Sequence, residues 1–221
     1  MLPEAAHHPH HPALAHQFDS LAQQSEATTL GMWVFLVTEV LFFGGLFATY
    51  MIYRNWYPDA FAAASHELDV TLGTINTAVL ITSSLTMALA VRAAQLGQRR
   101  LVMMLLILTM VLGAAFLGVK SVEYYHKFVE HHVPGPTFHF EGGHAPNAEM
   151  FFNLYFAMTG LHAFHMVIGV GIILIVMVQA WRGVYTPQNH NFVEGVGLYW
   201  HFVDLIWIFL FPLLYLIGRH H

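Results

Sequence analysis

The chain has 221 residues, of which 57% are hydrophobic and only 10% charged. Soluble domains run near 45–50% apolar and about 25% charged, so this composition excludes a dispersed soluble protein and points to an integral membrane protein. The net charge of −5, with no basic run, argues against nucleic acid as a partner. The absence of cysteine excludes disulfides, thiol catalysis and metal sites built on thiolates.

In chain order, residues 1–30 hold no Lys or Arg and no apolar run, so they do not read as a secretory signal. They read as a polar, solvated tail rich in histidine (His7, His8, His10, His11 and His16), with a spacing that defines no metal geometry. From residue 31 the pattern changes. A helix across the hydrocarbon needs about 20 apolar residues, and five stretches qualify: about 31–53, 70–94, 101–125, 149–181 and 194–217. They are too long and too little alternating for barrel strands. The expected fold is therefore all-α, a single polytopic bundle of five transmembrane helices over 31–218. Arg92, Arg99 and Arg100 cluster between the second and third spans, and Arg182 lies on the same side. The positive-inside rule makes that side cytoplasmic, which places the amino terminus inside, although Arg54, Lys120, Lys127 and Arg219 equal them in number outside. A long outer loop, roughly 126–149, is rich in Pro and Gly and carries His126, His131, His132, His139 and His144. Small-x-x-x-small spacings at Gly44/Ala48, Gly45/Thr49 and Ala114/Gly118 suggest close helix approach.

Ionisable residues lie at depth in four spans: Glu39, then Lys120 and Glu123, then His162 and His165, then His201 and Asp204. An aspartate at the centre of a membrane helix costs about 2.5–3.5 kcal/mol on insertion scales, so such groups face the bundle interior or a cavity and pair with one another. Residues three apart share a helical face. His201 and Asp204 thus point one way, flanked by Trp200 and Trp207, with Glu39, His162 and His165 the expected receivers. The same pattern admits a metal site, a bis-histidine haem through His165 and His201, or a lipid site. It lacks the Glu-x-x-His repeats of di-iron bundles, and no phosphate loop or nucleophile elbow is present. The residues alone describe a bundle with a buried polar seam and name no reaction.

Four segments are recognisable together. TEVLFFGGLF (38–47), SVEYY (121–125), TGLHAFHMVIG (159–169) and YWHFVDLIWIFLFPLLYL (199–216) resemble subunit III of haem–copper terminal oxidases, in that family's order and over about residues 31–216. The likeness is to the five-helix form. It implies a non-catalytic, multi-pass subunit in the cytoplasmic (inner) membrane of a bacterium, beside subunit I and with subunit II in the same complex. Haem and copper are expected in those partners, with no metal and no catalytic residue in this chain. It also implies a phospholipid-holding cleft and a role in supporting oxygen reduction by cytochrome c and proton translocation. By motif, Glu39, Glu123, His162, His165, Trp200, His201 and Asp204 become the expected cleft or seam residues. The sequence departs from the pattern where many relatives carry a carboxylate ahead of Asn76-Thr77. Thr71 stands there, with Asp69 the nearest acid. The outer loop is also longer. Quinol as electron donor, an accessory role in nitric-oxide reduction, and a stand-alone membrane metalloenzyme built on histidines and carboxylates remain alternatives at this point.

Overall fold

A computed structural model describes residues 17–140, 145–185 and 190–216. The tail histidines His7 to His16, the loop residue His144 and Arg219 lie outside the described residues. Among the described residues there are six α-helices and no strand: α1 (Leu21–Trp56), α2 (Pro58–His66), α3 (Val70–Gln95), α4 (Arg99–Val129), α5 (Ala145–Trp181) and α6 (Asn191–Phe211), which runs into a π-helical turn, Pro212–Leu216. All but α2 are long and apolar enough to cross a membrane, so the expected all-helical, five-span architecture holds.

The boundaries differ from expectation in informative ways. α1 begins ten residues before the end of what reads as polar tail. Ser20 caps it, its side chain accepting from the Gln23 amide at 3.1 Å, while Gln23 accepts from the Asp19 amide at 2.7 Å. Ser and Gln three residues apart form a recognised helix-start signature. With 36 residues, α1 is about 54 Å long against about 30 Å of hydrocarbon, so several polar turns project from the membrane. α4 likewise runs past His126 to Val129. Glu149 lies inside α5 rather than in the outer loop.

The short α2 has no counterpart in the sequence reading. Pro58 opens it at a position that needs no amide hydrogen. Its Ala60, Phe61, Ala64 and Ser65 turn inward, and Phe61 meets Tyr50 and Phe151 edge-on at 5.3 and 5.5 Å. It packs beside the π-helical turn, where Pro212 removes an amide donor and disturbs the helical ladder. Two carbonyls there are met from outside α6: Tyr50 donates to Leu213 and Ser65 to Leu214, both at 2.8 Å.

α3 and α4 form a tight antiparallel hairpin. The turn rests on Gly97, at φ 69°, a left-handed conformation that closes the end of α3 with little strain only for glycine. Asp69, the nearest acid to Thr71, caps the other end of α3, accepting from the amides of Thr71 and Leu72 at 2.8 and 3.1 Å. α6 is the most buried span and contacts α1, α3 and α5, whereas α1 is the least buried. The small-residue spacings do not mark the close approaches: a Cβ at Gly44, Gly45 or Gly118 would meet nothing within 4 Å. Those glycines face outward, and the spacing alone does not say which face of a helix is covered. The tight glycines are others, Gly113 and Gly169 against Trp200 and Gly73 against Phe211.

Candidate functional site

The seven expected residues do not form one seam. The structure distributes them among five surroundings. In the carboxy-terminal half of α4, Glu123 pairs with Lys120, Nζ to Oε2 at 3.1 Å, with both residues almost fully buried. Lys120 also donates to the hydroxyls of Tyr155 and Tyr215 at 3.0 and 2.9 Å. Those hydroxyls in turn donate to Glu123 Oε1, Tyr155 at 2.7 Å and Tyr215 more closely still. The ammonium lies 5.0–5.6 Å from the ring centres of Tyr124, Tyr155, Trp207 and Tyr215, a distance at which aromatic faces attract a cation. The donors and acceptors of this cluster answer one another, so its role is to hold α4, α5 and the end of α6 together.

His162 lies deeper, completely enclosed between Phe116 and Trp207, with ring centres 5.3 Å away on each side. Neither ring nitrogen makes a hydrogen bond among the described residues. It therefore does not receive His201 or Asp204, contrary to expectation.

Glu39 and His165 do meet. His165 Nε2 is 3.2 Å from Glu39 Oε2, while Nδ1 is 2.9 Å from the Leu161 carbonyl. A carbonyl only accepts, so Nδ1 carries a proton. The pair sits at the inner end of a groove of about 560 Å³. Phe35 and Met32 of α1, Ile168 and Ile172 of α5, and Val196 and Tyr199 of α6 form its walls. It runs from the amino-terminal end of α1 towards the middle of the membrane. Apart from the Glu39–His165 end and Thr28, the named walls are hydrocarbon or aromatic. A long apolar slot with a polar pair at its deep end suits an acyl chain better than a soluble metabolite.

His201 and Asp204 open on a different face. His201 Nδ1 bonds the Ser84 hydroxyl of α3 at 2.7 Å. Ser84 is also the polar neighbour of Asp204, but neither carboxyl oxygen of Asp204 reaches a donor in hydrogen-bonding geometry among the described residues. All three line a second groove of about 340 Å³ between α3 and α6. An unmet buried acceptor costs about 1–3 kcal/mol. His165 and His201 thus belong to separate cavities and do not face one another as haem ligands would.

Trp200, from the same motif, points away from that groove into the core. Its indole nitrogen donates to Ser83 at 3.0 Å, and its ring is wedged between Gly113 and Gly169. Trp207 similarly donates to Thr77 at 3.0 Å.

The sequence pattern of cytochrome c oxidase subunit III matches residues 16–219. The chain belongs to the cytochrome c oxidase subunit III family. The cytochrome bo(3) ubiquinol oxidase subunit 3 of Pseudomonas aeruginosa is 29% identical to it over 93% of this chain and 92% of that protein. The cytochrome c oxidase subunit 3 of Thermostichus vulcanus is 34% identical over 91% and 92%, and the quinol oxidase subunit 3 of Bacillus subtilis is 34% identical over 86% of each. This is therefore a subunit III of a haem–copper oxidase, a multi-pass bacterial membrane protein of a multi-subunit complex.

Sequence reasoning overlooked several partners in subunit III that matter: Ser84, Tyr155 and Tyr215. A signal existed for the tyrosines, since a Tyr hydroxyl carried into the core of a membrane helix must find a partner. Ser84 is indistinguishable by composition from Ser83 beside it, which serves Trp200.

Around the carboxy-terminal end of α4, this subunit III is tied by charge. Lys127 donates to Glu130 at 2.5 Å, and His132 Nδ1 lies 3.3 Å from the same carboxylate oxygen. His132 also stacks on Phe152 at 5.0 Å. Burial and the Lys127 charge hold the His132 imidazole below its ordinary 6.5, against the opposing pull of Glu130 and Glu67. Burial alone would raise Glu130, but the bond and charge of Lys127, with His132, bring it below its ordinary 4.5. Both shifts carry one sign. Below pH 6.5 the opened loop takes up a proton that folded His132 resists, and below pH 4.5 the stabilisation of ionised Glu130 is lost in turn. Amide protection across 130–139 is expected to fall as the pH is lowered from about 7 to 4, after correction for intrinsic exchange. Equal protection across that range would contradict this account.

Proposed function

We propose that this subunit III carries no redox centre and serves an aerobic respiratory oxidase in which haem and copper reside in partner subunits, subunit I being its principal contact. It lies in the cytoplasmic membrane with its amino terminus inside. Its contribution to oxygen reduction and coupled proton translocation is to hold phospholipid against the complex and to steady subunit I. The observation that carries this reading is the apolar groove ending at Glu39 and His165. Its size suits about one acyl chain.

Cytochrome c is the proposed electron donor. Quinol is the second reading, because relatives from Pseudomonas aeruginosa and Bacillus subtilis carry quinol oxidase names. Feeding the purified complex reduced cytochrome c and a quinol in separate assays decides between them. For the groove, Glu39→Ala is expected to lower the phospholipid retained by the purified complex by about one molecule, measured by lipid mass spectrometry. An unchanged lipid complement would remove the groove from the function.

A further inference from the structure

Three of the eight basic residues, Arg99, Arg100 and Arg182, converge at one end of the seam between α4 and α5. Arg99 and Arg100 open α4, and Arg182 follows the last residue of α5. Arg99 reaches across the seam: a side-chain carbon added at Gly183 would lie 3.6 Å from its Nη1. All three arginines are exposed, and none forms an ion pair among the described residues. The sequence offers them no acid, since none occurs between Asp69 and Glu123 or between Glu149 and Glu194. Glu194 itself is engaged by Gln95 and His190. Two of these cations also stand at the amino-terminal end of a helix, where the backbone dipole favours anions.

Directly below the arginines, α4 and α5 border an apolar groove of about 240 Å³, lined by Met103, Ile107, Met177, Val178 and Trp181. The spacing ties the groove to the charge. Met103 and Ile107 follow Arg100 by three and seven residues on α4, and Arg182 follows Val178 by four on α5. Both helices therefore carry arginine on the side that faces the groove. Ile107 is about 10 Å along α4 from Arg100, which keeps the groove within one leaflet of the hydrocarbon. Trp181 is 65% exposed, at the depth where tryptophan marks the headgroup boundary. An apolar slot under unpaired guanidinium groups matches an acyl chain joined to a headgroup of net negative charge. The Glu39 groove differs, because α1 before Arg54 and α6 carry no Lys or Arg.

We propose that the arginine end of the α4–α5 seam binds one anionic phospholipid, at a site distinct from the Glu39 groove. The phosphate lies among Arg99, Arg100 and Arg182, and one acyl chain follows Met103, Ile107 and Met177 into the bilayer. Guanidinium forks suit phosphate oxygens, and the net charge sets the preference over a zwitterionic lipid. The site requires only that the chain spans a membrane, so it stands whether or not the Glu39 groove holds lipid.

The test uses the assembled oxidase in phosphatidylcholine nanodiscs that carry a minor fraction of photoreactive phosphatidylglycerol or, in a parallel sample, photoreactive phosphatidylethanolamine. Adducts on the peptides around Met103–Ile107 and Met177–Trp181 are counted by mass spectrometry. One basic residue near the membrane surface is worth about fivefold toward an anionic lipid. With three, phosphatidylglycerol adducts are expected to exceed phosphatidylethanolamine adducts by about tenfold or more. Arg99→Gln, Arg100→Gln and Arg182→Gln together are expected to bring that excess below about twofold. Arg99→Lys, Arg100→Lys and Arg182→Lys together are expected to keep most of it. Equal labelling by the two lipids, an excess that survives the three Gln changes, or no adduct at the seam would each overturn the proposal. Adducts near Glu39 alone would overturn it and leave the Glu39 groove standing. If the triple Gln variant does not accumulate, Arg182→Gln alone is expected to lower the excess about fivefold, and an unchanged excess overturns the site.

Discussion

Trp200→Ala is expected to destabilise the bundle by about 2–3 kcal/mol. In a soluble core a Trp→Ala change costs about 3–5 kcal/mol, part of it lost transfer energy and part the cavity left behind. In lipid the transfer part largely disappears, because tails solvate an apolar ring about as well as the core does, and the cavity part remains. The site is poorly placed to collapse. Trp200 is completely buried, and its ring contacts the backbone positions of Gly113 on α4 and Gly169 on α5, with a bond to Ser83 on α3. Three helices are fitted around one side chain of a fourth. A Cβ at Gly113 would lie 2.9 Å from the ring and one at Gly169 would lie 3.0 Å from it. Gly113→Ala should therefore destabilise the wild type and be tolerated once Trp200 is Ala. Denaturant titration of the subunit in bicelles measures each corner of this cycle. Additive effects would show that the ring and the glycine do not share the contact.

The parts of this structure that were legible in sequence are those set by length and apolarity. Four of the five spans lie close to the expected ranges, because a hydrocarbon core requires about 20 residues whatever they pack against. The early start of α1 was also written there, in Ser20 and Gln23, but a run of polar residues masks a cap as readily as it marks a tail. Rotation of each helix about its axis was not legible. Residues three apart share a face, yet that rule does not say what the face meets. His162 and His165 are such a pair, and the first is enclosed by Phe116 and Trp207 while the second reaches Glu39 in the groove. His201 and Asp204 were read as facing Glu39, His162 and His165. They face Ser84 instead, because α6 lies against α3 on that side. Gly44 and Gly45 have the spacing of a packed interface and sit on an open surface for the same reason.

Lys120→Met is expected to cost more than any other single polar change in the subunit, about 3–5 kcal/mol, the range for removing one partner of a buried ion pair. The carboxylate of Glu123 would remain enclosed with the Tyr155 and Tyr215 hydroxyls as its only donors among those seen here. The ammonium would also no longer draw the four surrounding aromatic rings together. Glu123→Gln in the same chain removes the stranded charge, so the double variant should be clearly more stable than Lys120→Met alone, which a double-mutant cycle detects. The damage should also spread in a defined direction. Tyr215 belongs to the π-helical turn, whose Leu213 and Leu214 carbonyls are held by Tyr50 of α1 and Ser65 of α2. Loss of the Lys120 contact leaves the Tyr215 hydroxyl held by Glu123 alone, so exchange of the amides of 213–216 should accelerate before that of the α3–α4 hairpin. A Lys120→Met subunit within about 0.5 kcal/mol of wild type, the ordinary range for an exposed substitution, would mean that the two carboxylate–tyrosine bonds suffice. The lysine would then be a passenger in the cluster rather than its centre.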